Sequence, residues 1–382
     1  MFVSERFCLQ LTRPCLTFLL LLSLTAGHPQ ELAQNGAGAH EERNVILVMS
    51  DGLRWQEVFR GADPALLVPE RYYDKRNVDV LRQKYLAATP EERRRKLMPF
   101  VWSVMATQGQ LLGDRDRGSD VSVTNGFSFS YPGYSEVLTG HPDPRIHSND
   151  NTPNPNTTVL EWLNKQPGLQ GRVAAFGAWQ VIGGIVNAQR CGFPVNAGYD
   201  PFLLEPMSPE LSLLNRWKAE SPRIWDDEPF DAPVFYTAME YVRLKKPRVL
   251  FLSLGETDDW AHEGNYGEYL DSAYRVDDYL SRLWSELQSM PEYRNKTTLI
   301  FLPDHGRGSG AETWKDHGQK IPESKYVFMG FLGPGVAASG DRNAAAPVFS
   351  NQVAATLAHQ VGQDWDAVES KAGRPIDLHS AP

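Results

Sequence analysis

The run NVILVMSD, Asn44 to Asp51, sets the architecture. Five apolar residues follow one another without a polar break, three of them β-branched, and an acid closes the run. A strand with one wet face alternates. An unbroken run of this length reads as a strand buried on both faces. Similar runs recur: RVAAFGAW (Arg172 to Trp179), RVLFLSLGETDD (Arg248 to Asp259), TTLIFLPDH (Thr297 to His305) and YVFMGFLGPG (Tyr326 to Gly335). Between them, apolar residues fall at helical spacing in 95–108, 158–166, 269–288 and 351–362. Strands alternating with helices predict an α/β fold with a largely parallel central sheet flanked by helices. Residues 59–94 and 187–235 break the alternation and are rich in Pro, Tyr, Trp and charge. They read as loop insertions over the active site.

The chain has 382 residues, 41% hydrophobic and 22% charged, as a globular protein with a sizeable core has. The net charge of −9, with no basic stripe, argues against a nucleic-acid-binding surface. At the N-terminus, Arg6 and Arg13 precede the apolar run Cys15 to Ala26. That run is short for a bilayer span but suits a signal h-region. The expected organisation is a signal peptide at 1–27, a flexible leader at 28–42 and a single domain at 43–382. No membrane span remains after signal removal, and the protein is expected to be exported, periplasmic or secreted. Of three cysteines only Cys191 lies beyond the signal, so no intramolecular disulfide is expected.

In parallel sheets ligands bind beyond the carboxyl ends of the strands. Three of the apolar runs deliver acids there: Asp51, Asp258 and Asp304. Histidines accompany them. In DDWAH, Asp258 and His262 are four apart and share one face of a helical turn. In PDHG, Asp304 and His305 sit on a turn, and His317 follows in KDHG. Three carboxylates and three imidazoles suffice for two divalent ions at three protein ligands each. Imidazole with carboxylate suits zinc, with manganese or iron as alternatives.

A second feature is NGFSFSYPGYSEVLTGH, Asn125 to His141. With Ser130 as N-cap, Pro132 falls in the first turn, where proline is tolerated. The Ser130 hydroxyl then stands at the positive end of a helix, where a phosphate would meet free N–H groups. Ser135 falls mid-helix and Ser128 two residues before the cap.

Taken in order, these residues resemble the alkaline phosphatase superfamily, which includes nucleotide pyrophosphatases/phosphodiesterases, sulfatases and cofactor-independent phosphoglycerate mutases. NVILVMSDG resembles its first strand with a metal-binding Asp51. SYPGYSEVLTG matches the nucleophile segment in the register that selects Ser130. TDDWAH, PDHG and DHGQKIP match its metal-ligand segments. The resemblance covers roughly residues 44 to 365. It implies an alkaline-phosphatase-like domain in which Asp258, His262 and His317 hold one ion and Asp51, Asp304 and His305 the other, with Ser130 between them. It implies a metal-dependent hydrolase of small phosphate esters acting through a phosphoseryl intermediate, phosphodiesterase-like. The alternatives are a phosphomonoesterase, then a sulfatase-like or phosphonate hydrolase, then a non-catalytic binding protein of the same fold. Tyr134 stands where sulfatases carry Arg. The echo of the mutase motif in GYSEVLTGH nominates Ser135, but the spacing to the helix glycine favours Ser130. By the same analogy Asn151, twenty-one residues on, contacts a phosphoryl oxygen, with Asn149 its neighbouring alternative. Trp179 is a candidate leaving-group contact.

Overall fold

The computed structural model describes residues 42–68, 78–343 and 346–379. The signal-like segment, nearly all of the leader and part of the first insertion lie outside the described residues. Among those described, no helix is long and apolar enough to cross a membrane.

The first apolar run forms β1 (Asn44–Ser50), every residue of it buried. The other strands are β2 (Gln110–Leu112), β3 (Val121–Ser122), β4 (Val173–Gly177), β5 (Val195–Ala197), β6 (Val249–Leu254), β7 (Thr297–Leu302), β8 (Met329–Leu332), β9 (Gly340–Asp341) and β10 (Val348–Phe349). Eight of them form one sheet in the order β5-β4-β6-β1-β7-β8-β2-β9, while β3 pairs with β10. Strands β5, β4, β6, β1 and β7 run parallel. The pairings of β7 with β8 and of β8 with β2 are antiparallel. The fold is thus mixed α/β with a mostly parallel sheet.

Alternate residues of β1 feed two cores. Ile46 and Val48 join a cluster with Val234 and Ala238 of the helix Asp231–Lys245 and Leu270 and Leu280 of the helix Tyr266–Ser289. Val45, Leu47 and Met49 join one with Tyr134 and Leu138 of the helix Ser130–Thr139 and Leu357 of the helix Val353–Gln360. Burial on both faces is what the unbroken apolar run required.

Two expectations shift. The helix read over 95–108 is broken: Pro90–Leu97 ends at Met98, and a new helical segment, Val101–Met105, follows Pro99. Proline drives the residue before it out of helical geometry. The Asp277 carboxylate then accepts from Phe100 N and Val101 N at 2.7 and 2.8 Å, capping the restart. The segment 187–235 carries β5, which extends the sheet edge, and the helix Pro209–Glu220.

Candidate active site

Because five neighbouring strands are parallel, their carboxyl ends collect on one side of the sheet. Asp51 immediately follows β1 and Asp304 lies two residues beyond β7. Asp258 and His262 sit on the helix Glu256–His262, which opens two residues after β6 closes.

His305 is the hub. Its Nδ1 faces Gly306 O at 2.9 Å. With Nδ1–H donating to that carbonyl, Nε2 is turned to the carboxylates. Around Nε2 stand Asp51 Oδ1 at 3.3 Å, Ser130 Oγ at 3.4 Å, Asp304 Oδ2 at 3.5 Å and Asp258 Oδ1 at 3.6 Å. Asp51 Oδ1 and Asp304 Oδ2 are buried without a hydrogen-bond donor. Burial works against a charge on His305, but the Asp304 and Asp51 carboxylates outweigh it and push the imidazole up to about 9. Burial raises the Asp304 carboxyl well above the usual range, and Asp51 adds to this.

Beside this hub lies a second group. His262 Nε2 is 2.9 Å from Asp258 Oδ2 and 3.0 Å from His317 Nε2, and His317 Nε2 is 3.9 Å from Asp258 Oδ1. Burial depresses both imidazoles, and the charge of His305 depresses them further. Two neutral imidazoles facing each other through their Nε2 atoms share one position for an electrophile. Ligand atoms of Asp51, Asp304 and His305 lie within 4.8 Å of one another, as do those of Asp258, His305 and His317. Orphaned carboxylate oxygens converging with imidazole nitrogens are the donor set a zinc-like cation takes, so these residues fit divalent ions.

Arg307 joins the site, and the sequence reading missed it. The side chain is almost fully buried. It pairs with the Asp258 carboxylate and donates to Gly52 O and Asp258 O, each at 3.2 Å, and to Lys315 O. Burial pulls its pKa down to about 9. The signal was an arginine two residues after the histidine in DHGRG. Arg145 and Arg190 are also committed elsewhere, to Asp143 and Glu161.

Ser130 is not the N-cap. Phe129 holds that position, and Ser130 is the first helical residue. Ser128 adopts a left-handed φ of 52° just before, and the helix opens one residue earlier than the capping pattern indicates. The Ser130 hydroxyl is therefore free to face His305. Ser135 lies buried on the same helix, accepting from Asn154 Nδ2 at 3.1 Å. Asn149, rather than Asn151, meets the helix terminus: its Oδ1 accepts from Tyr131 N at 2.9 Å. A tight turn, Thr152 N to Asp150 O at 2.7 Å, carries Asn151 past the helix into a neighbouring pocket. Trp179 follows β4, half-buried, with Nε1 donating to Asp227 Oδ2 at 3.0 Å.

Glu228 was also missed. Its carboxyl group rests against Gly255, where a Cβ would lie 1.3 Å from Oε1. Burial raises it well above the usual range, and Asp259 and Asp51 raise it further. Nothing in IWDDEPF sets this acid apart from its exposed neighbours Asp226 and Asp227.

A sequence model of the type I phosphodiesterase/nucleotide pyrophosphatase family matches residues 101–379. No curated protein matches the chain by sequence. Among solved structures, the wild-type alkaline phosphatase PafA is similar with a TM-score of 0.58 at 10% identity, over 90% of this chain and 100% of that one. The 2-O GAG sulfatase BT1596 is similar with a TM-score of 0.51 at 15% identity, over 90% and 75%. The lipoteichoic acid synthase LtaP from Listeria monocytogenes is similar with a TM-score of 0.51 at 12% identity, over 88% and 75%. At these identities the likeness is one of fold.

Proposed function

Because the chain belongs to the type I phosphodiesterase/nucleotide pyrophosphatase family, we propose that it is an exported, two-metal hydrolase of phosphodiesters with Ser130 as nucleophile. The observation that carries the reading is the meeting of Ser130 Oγ with His305 Nε2, 3.4 Å apart, among the carboxylates of Asp51, Asp258 and Asp304. Asp51, Asp304 and His305 would hold one ion, and Asp258, His262 and His317 the other. Bound there, divalent zinc-like ions supply Lewis acidity that lowers the pKa of a serine hydroxyl and offsets charge on phosphoryl oxygens.

The chain supplies the geometry. Ser130 Oγ stands on the first turn of a ten-residue helix, where unpaired N–H groups and the helix dipole favour an anionic phosphoryl group. Attack forms the Oγ–P bond and breaks the bond to the leaving alcohol, which departs with a proton. Water then cleaves the phosphoseryl ester and restores the hydroxyl. Asn149, held by Tyr131 N through its Oδ1, has its Nδ2 amide left to donate to a phosphoryl oxygen. Arg307, Arg145 and Arg190 are all committed to carboxylates of the chain. That supports a diester, with one negative charge, over a monoester dianion. Export rests on the apolar run at Cys15 to Ala26 behind Arg6 and Arg13.

The test is turnover of bis-p-nitrophenyl phosphate against p-nitrophenyl phosphate and p-nitrophenyl sulfate, with and without chelator. The diester should be preferred and chelator should abolish its turnover. Ser130→Ala should lose at least 1,000-fold in kcat while retaining its metal content, and Ser135→Ala should stay within about tenfold. Retained turnover in Ser130→Ala sinks the assignment.

A further inference from the structure

A pocket of about 280 Å³ opens beside the site, and its walls have a consistent chemistry. Carboxamides of Asn151, Gln180, Asn187 and Gln189 line it, with Asp200 as the sole ionisable side chain among the described residues and Gly184 on its wall. Among the described residues, no cation and no aromatic ring lines it. Resting on the phosphodiesterase reading above, we propose that this pocket seats a neutral polyhydroxylated arm of the diester, a sugar or polyol.

The pocket belongs to the site by construction. The loop that caps the nucleophile helix through Asn149 continues directly into the wall at Asn151. Tyr131, next to Ser130, donates from its hydroxyl to Thr152 O at 2.6 Å and ties that wall to the helix. Two residues of chain span at most about 7 Å, so the Asn151 wall stays close to the helix that Asn149 caps, within reach of an arm of one or two rings. A Cβ at Gly184 would lie 2.7 Å from Asn151 Oδ1 and 2.9 Å from Thr152 O, so only glycine lets the wall close in. The lining groups are held in place. Gln180 Nε2 donates to Asp200 Oδ2 at 3.3 Å, and Asn187 Nδ2 donates to Asn154 O at 3.0 Å. Beneath, the Lys218 ammonium donates to Gly198 O and Asp200 O at 3.3 and 2.7 Å, fixing the segment that carries Asp200. The side chains of Asn151 and Gln189 have no partner among the described residues and are left for a ligand.

Carboxamides both donate and accept, as hydroxyls do, so a ring of them matches a polyol. A lone carboxylate repels a second phosphate. Without an aromatic face a nucleobase has nothing to stack on, and the indole of Trp179, next to the wall residue Gln180, is turned towards Asp227. The pocket therefore disfavours the nucleotide arm that the family's name implies.

The experiment compares p-nitrophenyl phosphodiesters whose second arm is glycerol, glucose, 5′-thymidine or p-nitrophenol, reading kcat/KM from nitrophenolate release. The glucose or glycerol arm should exceed the p-nitrophenyl arm at least tenfold, and the thymidine arm should fall below both polyols. The double variant Asp200→Ala/Gln189→Leu, checked for folding by its Tm, should bring that ratio towards one, chiefly through KM. A preference for thymidine, or a ratio that survives the double variant, overturns the proposal. If no diester turns over, the hydrolase reading fails on its own. The pocket is then judged by the side-chain amide NMR signal of Gln189 on adding glucose: a shift that vanishes in Gln189→Leu sustains it, and no shift overturns it.

Discussion

Consider Glu57→Gln. Glu57 lies fully buried beneath the site, beside Arg54, which is 1% exposed. Its carboxylate pairs with the Arg54 guanidinium, accepting from Nε at 2.7 Å and also from Nη2. It accepts from the hydroxyls of Tyr266 and Tyr269 at 2.8 and 3.2 Å. Arg54 Nη1 in turn donates to Gly308 O at 3.0 Å, bracing the loop that carries His305 and Arg307. Four donors thus converge on one carboxylate. Glutamine offers one acceptor oxygen and turns an NH2 group towards the remaining donors, leaving a buried guanidinium without its counter-charge. Breaking a buried pair this way costs about 3–5 kcal/mol. With an unfolding entropy of about 2.1 cal/mol/K per residue over roughly 330 ordered residues, that lowers Tm by about 4–7 °C. Scanning calorimetry on the purified protein reads it directly. The pair Arg54→Met/Glu57→Leu should recover a large part of the loss, because no charge is then left buried. A single-variant cost below about 1 kcal/mol, or a double variant no better than the single, refutes the reasoning.

Other expectations follow from separate contacts. In Gly133→Ala, the new Cβ would meet Asp304 O at 2.4 Å. The helix that carries Ser130 must then shift from the Asp304–His305 turn, costing about 1–3 kcal/mol; a kcat equal to wild type would show the close approach to be incidental. For Lys218, burial pulls the pKa down to about 8. The unfolded chain keeps this proton up to about pH 10.5, so the native state binds fewer protons from pH 8 to 10.5. Its contribution therefore makes stability rise by about 3 kcal/mol across that window. Urea titrations of wild type and Lys218→Met at pH 7.5 and 10 should show the slope in the difference, and parallel curves would contradict it. Chelation should lower Tm by about 4 °C for each ion present at a hundred times its Kd, since such a ligand contributes about 2.7 kcal/mol. A Tm indifferent to chelator and to added zinc would remove the metal reading.

What was legible in the sequence follows from what local pattern encodes. The five apolar runs all became strands because burial on both faces leaves its mark residue by residue. The strand-end acids were legible because parallel topology fixes where carboxyl ends gather. Short strands such as β5 and β9 were not, since pairing partners far along the chain create them. Glu228 and Arg307 escaped for a related reason. Each is an ordinary charged residue in a loop, and only the packing of Gly255 or Gly52 against it makes it part of the site. Asn149 and Asn151 are two apart in a run of turn formers, where spacing cannot say which side chain a tight turn aims at the helix.

The site's charge balance explains why so much acid is tolerated there. Asp51, Asp258 and Asp304 each place an oxygen within 3.6 Å of His305 Nε2, and Glu228 and Asp259 stand behind Asp51. At an effective dielectric of 20, two like charges about 4 Å apart repel by roughly 4 kcal/mol. Arg307 pairs with Asp258 and also offsets part of the charge of Asp51. The protein alone relieves the rest with protons. Burial and then the charge of Asp51 lift Asp259 to about 8, and the carboxylates lift His305 to about 9 against its burial. A divalent cation accepted by these residues would displace such protons, so its affinity must climb with pH across neutrality. The fold holds this tension because every acid in it sits on a rigid support: a strand end, a helix that opens two residues beyond β6, or a glycine that lets a carboxylate lie flat against the backbone.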